Sequence, residues 1–201
     1  MKHGQSFKTM AITINGNGTV TGVSVGGLPD GIVDTDMIAA KAATAPKLGN
    51  GAILQIKSAL KTDVFSTSST SFTDITGLSV DITPTSSSSK FLVAYHVTVG
   101  HDTSTQNTIQ LVRQVSSSDT VINPQAYNSG TTLQFFGSSD PGWDRGVMVY
   151  QVIDSPATAS AVNYRLRTYI YSASYVQYIN RCGNSASATG TSTLTVQEIA
   201  Q

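Results

Sequence analysis

The chain has 201 residues, and its 12 lysines and arginines balance its 12 aspartates and glutamates. Charged residues make up 12% of the chain, which is well below the share of an average globular protein. Because the net charge is zero, nothing in the composition attracts nucleic acid or an anionic membrane, and neither is expected as a partner. The single cysteine, Cys182, excludes an intrachain disulfide and a cysteine-rich metal site.

The first fifty residues predict an N-terminal arm that consists of a β-hairpin, one short α-helix and a linker. Ile12 and Ile14 precede an Asn-Gly-Asn-Gly turn, and Val20 and Val23 follow it. Asn-Gly pairs adopt the positive φ angles of tight hairpin turns, so two strands are expected here. An alanine-rich helix is then predicted between an N-cap at Asp34 and Pro46. The N-terminus has no long apolar segment, so no signal peptide is expected.

Residues 51–201 predict a second, all-β domain, because short apolar and β-branched runs alternate with clusters of Ser, Thr, Gly and Asn. Many short strands without intervening helices indicate a β-sandwich, and a jelly roll is the expected form. Residues 77–100 are predicted to form its central hairpin. The predicted strands are residues 52–60, 71–75, 78–83, 91–99, 108–115, 120–122, 132–136, 146–153, 162–171, 175–181 and 193–200.

Three of these strands carry further information. Residues 146–153 are apolar on both faces, which predicts that a subunit interface covers the outer one. Residues 162–171 place arginines and tyrosines opposite an apolar face, which fits either an interface centre or a solvated sheet face. In the last strand, Glu198 falls in phase with apolar residues. Either a bulge shifts the register, or Glu198 faces inward and needs a partner such as an arginine.

No arrangement of residues predicts catalysis. His96 and His101 have an odd spacing along one strand, so they point to opposite faces, and no metal site or other cofactor is expected. The G-x-S-x-G letters at residues 22–26 fall inside the predicted hairpin rather than at a strand-to-helix turn, and no phosphate-binding loop occurs. The one tryptophan, Trp143, lies between Asp and Arg residues, where it fits either a loop anchor or a platform for a sugar ring.

Three segments of the domain, residues 66–97, 152–170 and 179–200, and the leader at residues 12–42 resemble bacteriophage virion proteins of the tail-fibre and capsid-appendage type. The resemblance covers nearly the whole chain, although the long repetitive shaft of such fibres has no counterpart here. It implies a jelly-roll head similar to those of complement and tumour-necrosis-factor proteins. It also implies a homotrimer located in the virion after synthesis in the host cytoplasm.

The resemblance predicts a non-enzymatic structural protein, most simply a short tail fibre or appendage tip that attaches to other virion proteins through its arm and contacts a host glycan or protein. The alternatives are a capsid decoration protein that stabilises the head shell and a carbohydrate-binding module. The residues expected at the trimer interface are Val147, Val149, Tyr150, Tyr169, Tyr171 and Glu198. Those expected in receptor-contact loops are Tyr127, Trp143 and Arg145, and those expected to attach to the particle are Ile12, Ile14, Val20, Val23, Met37 and Ile38.

Overall fold

The structure is a computed structural model that describes residues 13–14, 20–21, 48–101, 106–122, 133–136, 145–183 and 185–201. The chain divides into two compact units, Met1–Thr44 and Ala45–Gln201. No helix among the described residues has the length and apolar character needed to span a membrane.

The first unit contains two short strands, β1 (Thr13–Ile14) and β2 (Val20–Thr21), which pair antiparallel. Ile14 lies opposite Val20 across this pair. The pairing agrees with the hairpin that the Asn-Gly turn predicts. The predicted helix after Asp34 lies outside the described residues.

The second unit is all-β in its described parts, as the sequence predicts. The period-two alternation of apolar and polar residues sets most of its strands. They are β3 (Ile53–Lys61), β4 (Phe65–Thr67), β5 (Thr73–Ile82), β6 (Lys90–His101), β7 (Gln106–Val115), β8 (Ser118–Val121), β9 (Leu133–Phe136), β10 (Arg145–Asp154), β11 (Val162–Thr168), β12 (Gln177–Ile179), β13 (Arg181–Cys182), β14 (Ser185–Thr189) and β15 (Ser192–Ile199).

These strands build two main antiparallel sheets. In the six-stranded sheet, β10 pairs with one side of β6, while β15 and β12 pair with successive parts of its other side. β3 then pairs with β15, and β4 pairs with β12. In the second sheet, β11 lies between β5 and β7, and both β8 and β9 pair with β7. β13 and β14 form a separate short pair.

The two sheets pack face to face around one core and form a β-sandwich. Phe91, Val93 and Leu194 of the six-stranded sheet are fully buried, as are Leu111 and Tyr164 of the other sheet. The rings of Phe91 and Tyr164 lie 5.9 Å apart between their centroids, which joins the two sheets directly. Alternate residues of β6 from Phe91 to Val99 are buried, so this strand has one face in the core.

The predicted hairpin at residues 77–100 is wrong in its pairing. β5 and β6 belong to different sheets, so the segment between them crosses the sandwich. A polar loop that contains Pro84 suits either connection, because loop composition does not specify which strands pair. The two strands predicted at 71–75 and 78–83 are the single strand β5, which passes through Gly77 at φ +86°.

Candidate interaction surface

The outer face of the six-stranded sheet exposes a group of large aliphatic side chains. We call this surface the apolar face, and it consists of the outward residues of β3, β15, β6 and β10. Register sets its composition, because a residue in one strand shares a face with the residues paired to it in the neighbouring strands. The aliphatic residues of this face are Ile53, Ile56 and Leu60 of β3, Ile199 of β15, Leu92 and Ala94 of β6, and Val147, Val149 and Ile153 of β10.

Two lateral rows illustrate the pattern of the apolar face. One row runs from Ile56 through Gln197 and Leu92 to Ile153. A second row, separated from the first by the row through Ala94, runs from Leu60 through Thr193 and His96 to Val149. In both rows a large aliphatic residue lies at each end, on β3 and on β10, and three of the four residues between them are polar. The apolar face therefore has two aliphatic margins with a mixed centre.

The exposure of the two margins is high for aliphatic side chains. Val149 is 66% exposed and Leu60 is 65% exposed, although both lie in regular strands. Among the described residues eleven large apolar side chains are exposed, and six of them lie on the two margins. In the lateral rows of the apolar face that pass through residues 90 to 98 of β6, Lys90 and His96 are the outward side chains that can carry a charge. Clustering of this kind on a sheet is typical of a contact surface, whereas isolated exposed aliphatic residues are ordinary.

The outer face of the second sheet has the opposite character, and we call it the charged face. Arg165 and Arg167 of β11 lie between Asp74 of β5 and Asp119 of β8. Arg165 donates to Asp119 at 2.7 Å and to Asp74 at 3.2 Å, and Arg167 donates to Asp74 at 2.7 Å. Asn163 extends the network by donating to Asp81 of β5 at 2.9 Å.

The charged face satisfies its own charges within one chain. Arg165 is only 8% exposed, because its neighbours in the network cover it. Partial burial by itself would raise the pKa of Asp119, but hydrogen bonds from Arg165 and Arg167 outweigh burial and hold that pKa below its ordinary value. Partial burial alone would lower the pKa of Arg167, but Asp74 and Asp119 raise it. This arrangement leaves little unmet demand for a charged partner.

Two polar groups inside the sandwich are also satisfied within the chain. Asp154, at the end of β10, accepts a hydrogen bond from Tyr164 at 2.7 Å and pairs with Arg113 at 2.7 Å. Glu198 is fully buried and accepts hydrogen bonds from the backbone N–H and hydroxyl of Thr85 and from the side chain of Gln55. Burial would raise the pKa of Glu198, but these donors lower it.

Both possibilities considered for Glu198 occur together. Glu198 faces inward, and the register between β15 and β3 shifts immediately after it, at Ile199. Its partners are Thr85 in the loop between β5 and β6 and Gln55 in β3, and no arginine contacts it in the described structure. Glu198 therefore ties the crossing loop to the six-stranded sheet, which is a structural role.

The six residues predicted for the trimer interface do not form one surface. Val147 and Val149 lie on the apolar face and are exposed, whereas Tyr150 points inward and packs against the core beside Tyr95. Glu198 is buried, so it is not available to another copy. Tyr169 packs edge-on against Phe72, with ring centroids 4.8 Å apart, and Tyr171 is exposed beyond the end of β11.

The margin of the apolar face on β3 was not predicted from the sequence. Ile53, Ile56 and Leu60 were not assigned to an interface, although all three are more than half exposed. The sequence of β3 shows period-two alternation only in part. The spacing from Ile53 to Ile56 is odd, which in a regular strand would place the two residues on opposite faces. The shift in register opposite Ile199 brings both residues to the same face.

Most of the other predicted site residues lie outside the described residues. Tyr127 and Trp143 are among them, as are Ile12, Val23, Met37 and Ile38. Ile14 and Val20 are described only as paired strand residues, and Arg145 only as the first residue of β10, opposite Gly100.

The part of the chain that the structure describes contains no candidate metal site. No three or more His, Cys, Asp or Glu side chains are grouped there in a way that could hold a metal ion. His96 lies exposed in the centre of the apolar face. Cys182 is buried.

Comparison with known protein families finds no family model that matches the chain, and comparison with curated proteins finds no match.

Proposed function

We propose that this protein is a non-enzymatic structural component of a bacteriophage virion that works as a homotrimer. In this proposal it is a short tail fibre or appendage tip, attached by the N-terminal arm, and its β-sandwich is a jelly-roll head presented to the host surface. The sequence resemblance supports the virion assignment. The apolar face supports self-association, and it is the observation that carries the proposal.

The apolar face is unfavourable for an isolated chain. Burying apolar area is favourable by about 25 cal/mol per Å², so six aliphatic side chains left half exposed in regular strands forgo several kcal/mol. A monomer gains nothing from this arrangement and risks aggregation at the margins. A subunit that meets other copies uses the same residues to hold the assembly together.

The charged face supports a role without catalysis. Its arginines and aspartates neutralise one another across β5, β8 and β11. Catalytic sites usually hold an acid or base whose protonation state is poised for proton transfer. Asp119 has a lowered pKa and Arg167 a raised pKa because they bond to opposite charges, which favours their charged forms and suits a stable outer surface.

The proposal is tested first by the mass of the purified full-length protein, measured by light scattering after size-exclusion chromatography. A mass of three chains is expected, and a monomer would contradict the proposal. Gold-labelled antibodies against the protein are then applied to purified phage particles that encode it. Labelling of the tail or its appendages is expected. Labelling spread over the head shell would favour capsid decoration, and no labelling of any particle would overturn the virion assignment.

A further inference from the structure

We infer that the apolar face is the surface on which copies of this chain meet, and that three such faces form the walls of a closed triangular prism. The aliphatic margin on β10 of one copy then meets the aliphatic margin on β3 of the next. This inference rests on the proposed homotrimer and names the surface and the residue pairs that build it.

Charge favours another copy of the chain over a different partner. Between residues 90 and 98 the apolar face has only Lys90, at one end, and His96 as side chains that can carry a charge. A partner with a charged surface would lose hydration on this face without gaining a counter-ion. Cores of homo-oligomeric interfaces are apolar and depleted in charge, and this face supplies that character to both sides of a contact. The charged face could not pack in this way.

The dimensions of the sheet fit three copies. The apolar face spans four strands, β3, β15, β6 and β10. With strands about 4.8 Å apart, the outer strands of the face lie about 14 Å apart. If strands of two copies lie about 6 Å apart at each corner, the axis of a three-walled prism is about 7.5 Å from each wall. Packed sheets are about 10 Å apart, so the side chains of each wall reach about 5 Å inward and leave only a narrow space around the axis.

Symmetry determines which residues meet at the corners. In a closed threefold ring a patch does not face its own copy, so two different patches must be complementary. The two margins supply them, because both are aliphatic and they lie on opposite edges of one sheet. A threefold rotation has no translation along the axis, so where the strands run along that axis each lateral row stays level around the ring. Leu60 of one copy is then expected beside Val149 of the next, and Ile56 beside Ile153.

Paired cysteines test these contacts. Leu60 and Val149 lie in one row, three strands apart, so their Cα atoms are separated by about 14 Å within a chain. Since a disulfide needs Cα atoms less than about 7 Å apart, a bond between cysteines at these positions must join two copies. The full-length Leu60→Cys/Val149→Cys protein is oxidised and run on a non-reducing denaturing gel. A covalent trimer is expected, and the same is expected of Ile56→Cys/Ile153→Cys.

Matched controls make the result specific. Each single cysteine variant is expected to stay monomeric on the gel, because the ring places like positions in different corners. In the mismatched pair Leu60→Cys/Ile153→Cys, the two positions lie two rows apart along the strands. This pair is expected to cross-link much less, because the two sulfur atoms are too far apart. Cys182 is buried and is kept in all variants.

The possible outcomes separate the inference from the proposed function. If the wild-type protein has the mass of three chains but neither Leu60→Cys/Val149→Cys nor Ile56→Cys/Ile153→Cys cross-links, the trimer uses another surface and the inference is wrong. If single variants instead give covalent dimers, the face packs against itself and the prism is wrong. If the wild-type protein is a monomer by mass, the homotrimer itself fails.

Discussion

The two sheets share one core and one strand geometry, yet their outer faces follow different rules. On the charged face, Arg165 is almost fully covered although it lies on the outside of the sandwich, because two aspartates and their neighbours surround it. On the apolar face, Val149 and Leu60 have no such cover. The charged face is complete within one chain, whereas the apolar face is complete only when something packs on it.

This difference has a thermodynamic origin. An ion-pair network needs several groups at matched positions, and β5, β8 and β11 supply them within one sheet. Aliphatic groups on an outer face cannot satisfy one another in this way, because a single layer of side chains always leaves one side in water. The way to remove that exposure is to add a second layer, which in our proposal comes from other copies.

The largest effect is expected from Val149→Asp. If the apolar face is buried between copies, an unpaired carboxylate there costs several kcal/mol of association free energy, and the trimer should dissociate into folded monomers. Light scattering measures the mass, and far-ultraviolet circular dichroism checks the fold. The control is Val121→Asp on β8, since Val121 is also partly exposed but lies in the other sheet. Equal dissociation of both variants would remove the distinction between the two faces.

A smaller effect, on the stability of the chain itself, is expected from Arg165→Ala. This change removes a mostly buried guanidinium that bonds to Asp74 and Asp119, and it leaves their charges less compensated. We expect a loss of about 2–4 kcal/mol in the free energy of unfolding, measured with urea. Arg167→Ala, at a more exposed position in the same network, is expected to cost less. If Arg167→Ala were the more damaging change, burial would not explain the role of Arg165.

Gly190→Ala is expected to destabilise the chain at one end of the apolar face. A Cβ atom at Gly190 would lie 2.7 Å from Cγ2 and 2.9 Å from Oγ1 of Thr98, so Thr98 must move. Thr98 also donates a hydrogen bond to the carbonyl of Thr191, which this movement would disturb. We expect a loss of about 1–3 kcal/mol in thermal or urea unfolding. The double variant Gly190→Ala/Thr98→Ser, which removes Cγ2, should recover part of that loss, and no recovery would place the strain elsewhere.

The smallest effect is expected from acid on the charged face. The pKa of Asp119 is lower in the folded chain than its ordinary value of 3.8, so the unfolded chain takes up the proton first as the pH falls. The stabilisation is fully present above the ordinary pKa and is lost as the pH falls through the folded pKa. Because Asp119 is partly exposed, about 0.5 kcal/mol is expected. Urea midpoints between pH 2 and 6 should fall less steeply for Asp119→Asn than for the wild type, and identical slopes would contradict this account.

The sequence predicts the all-β class and most strands for a local reason. In β6, the buried Phe91, Val93 and Tyr95 alternate with less buried residues, and this period is a property of the strand alone. The same reasoning missed β4 and β14, which are short and rich in Ser, Thr and Ala. Their apolar content is too low to produce a periodic signal, and pairing with neighbouring strands defines them instead.

The candidate site was only half predictable. The two-sided apolar pattern of β10 predicts an interface on its outer face, where Val147 and Val149 are exposed. The pattern could not show which residues of distant strands share that face, and the predicted interface also included Tyr150, which points inward, and Glu198, which is buried. Ile53, Ile56 and Leu60 join the face only through the pairing of β3 with β15, about 140 residues away in sequence.

Composition and period-two alternation alone determined that this chain forms β-strands with an apolar core, because alternation acts within each strand and needs no knowledge of its neighbours. Tertiary structure decided that β5 and β6 lie in different sheets, that Glu198 ties the loop between them, and that the aliphatic and charged residues separate onto opposite outer faces. These features depend on register between strands far apart in sequence, and a one-residue shift in register would move every side chain of a strand to the other face.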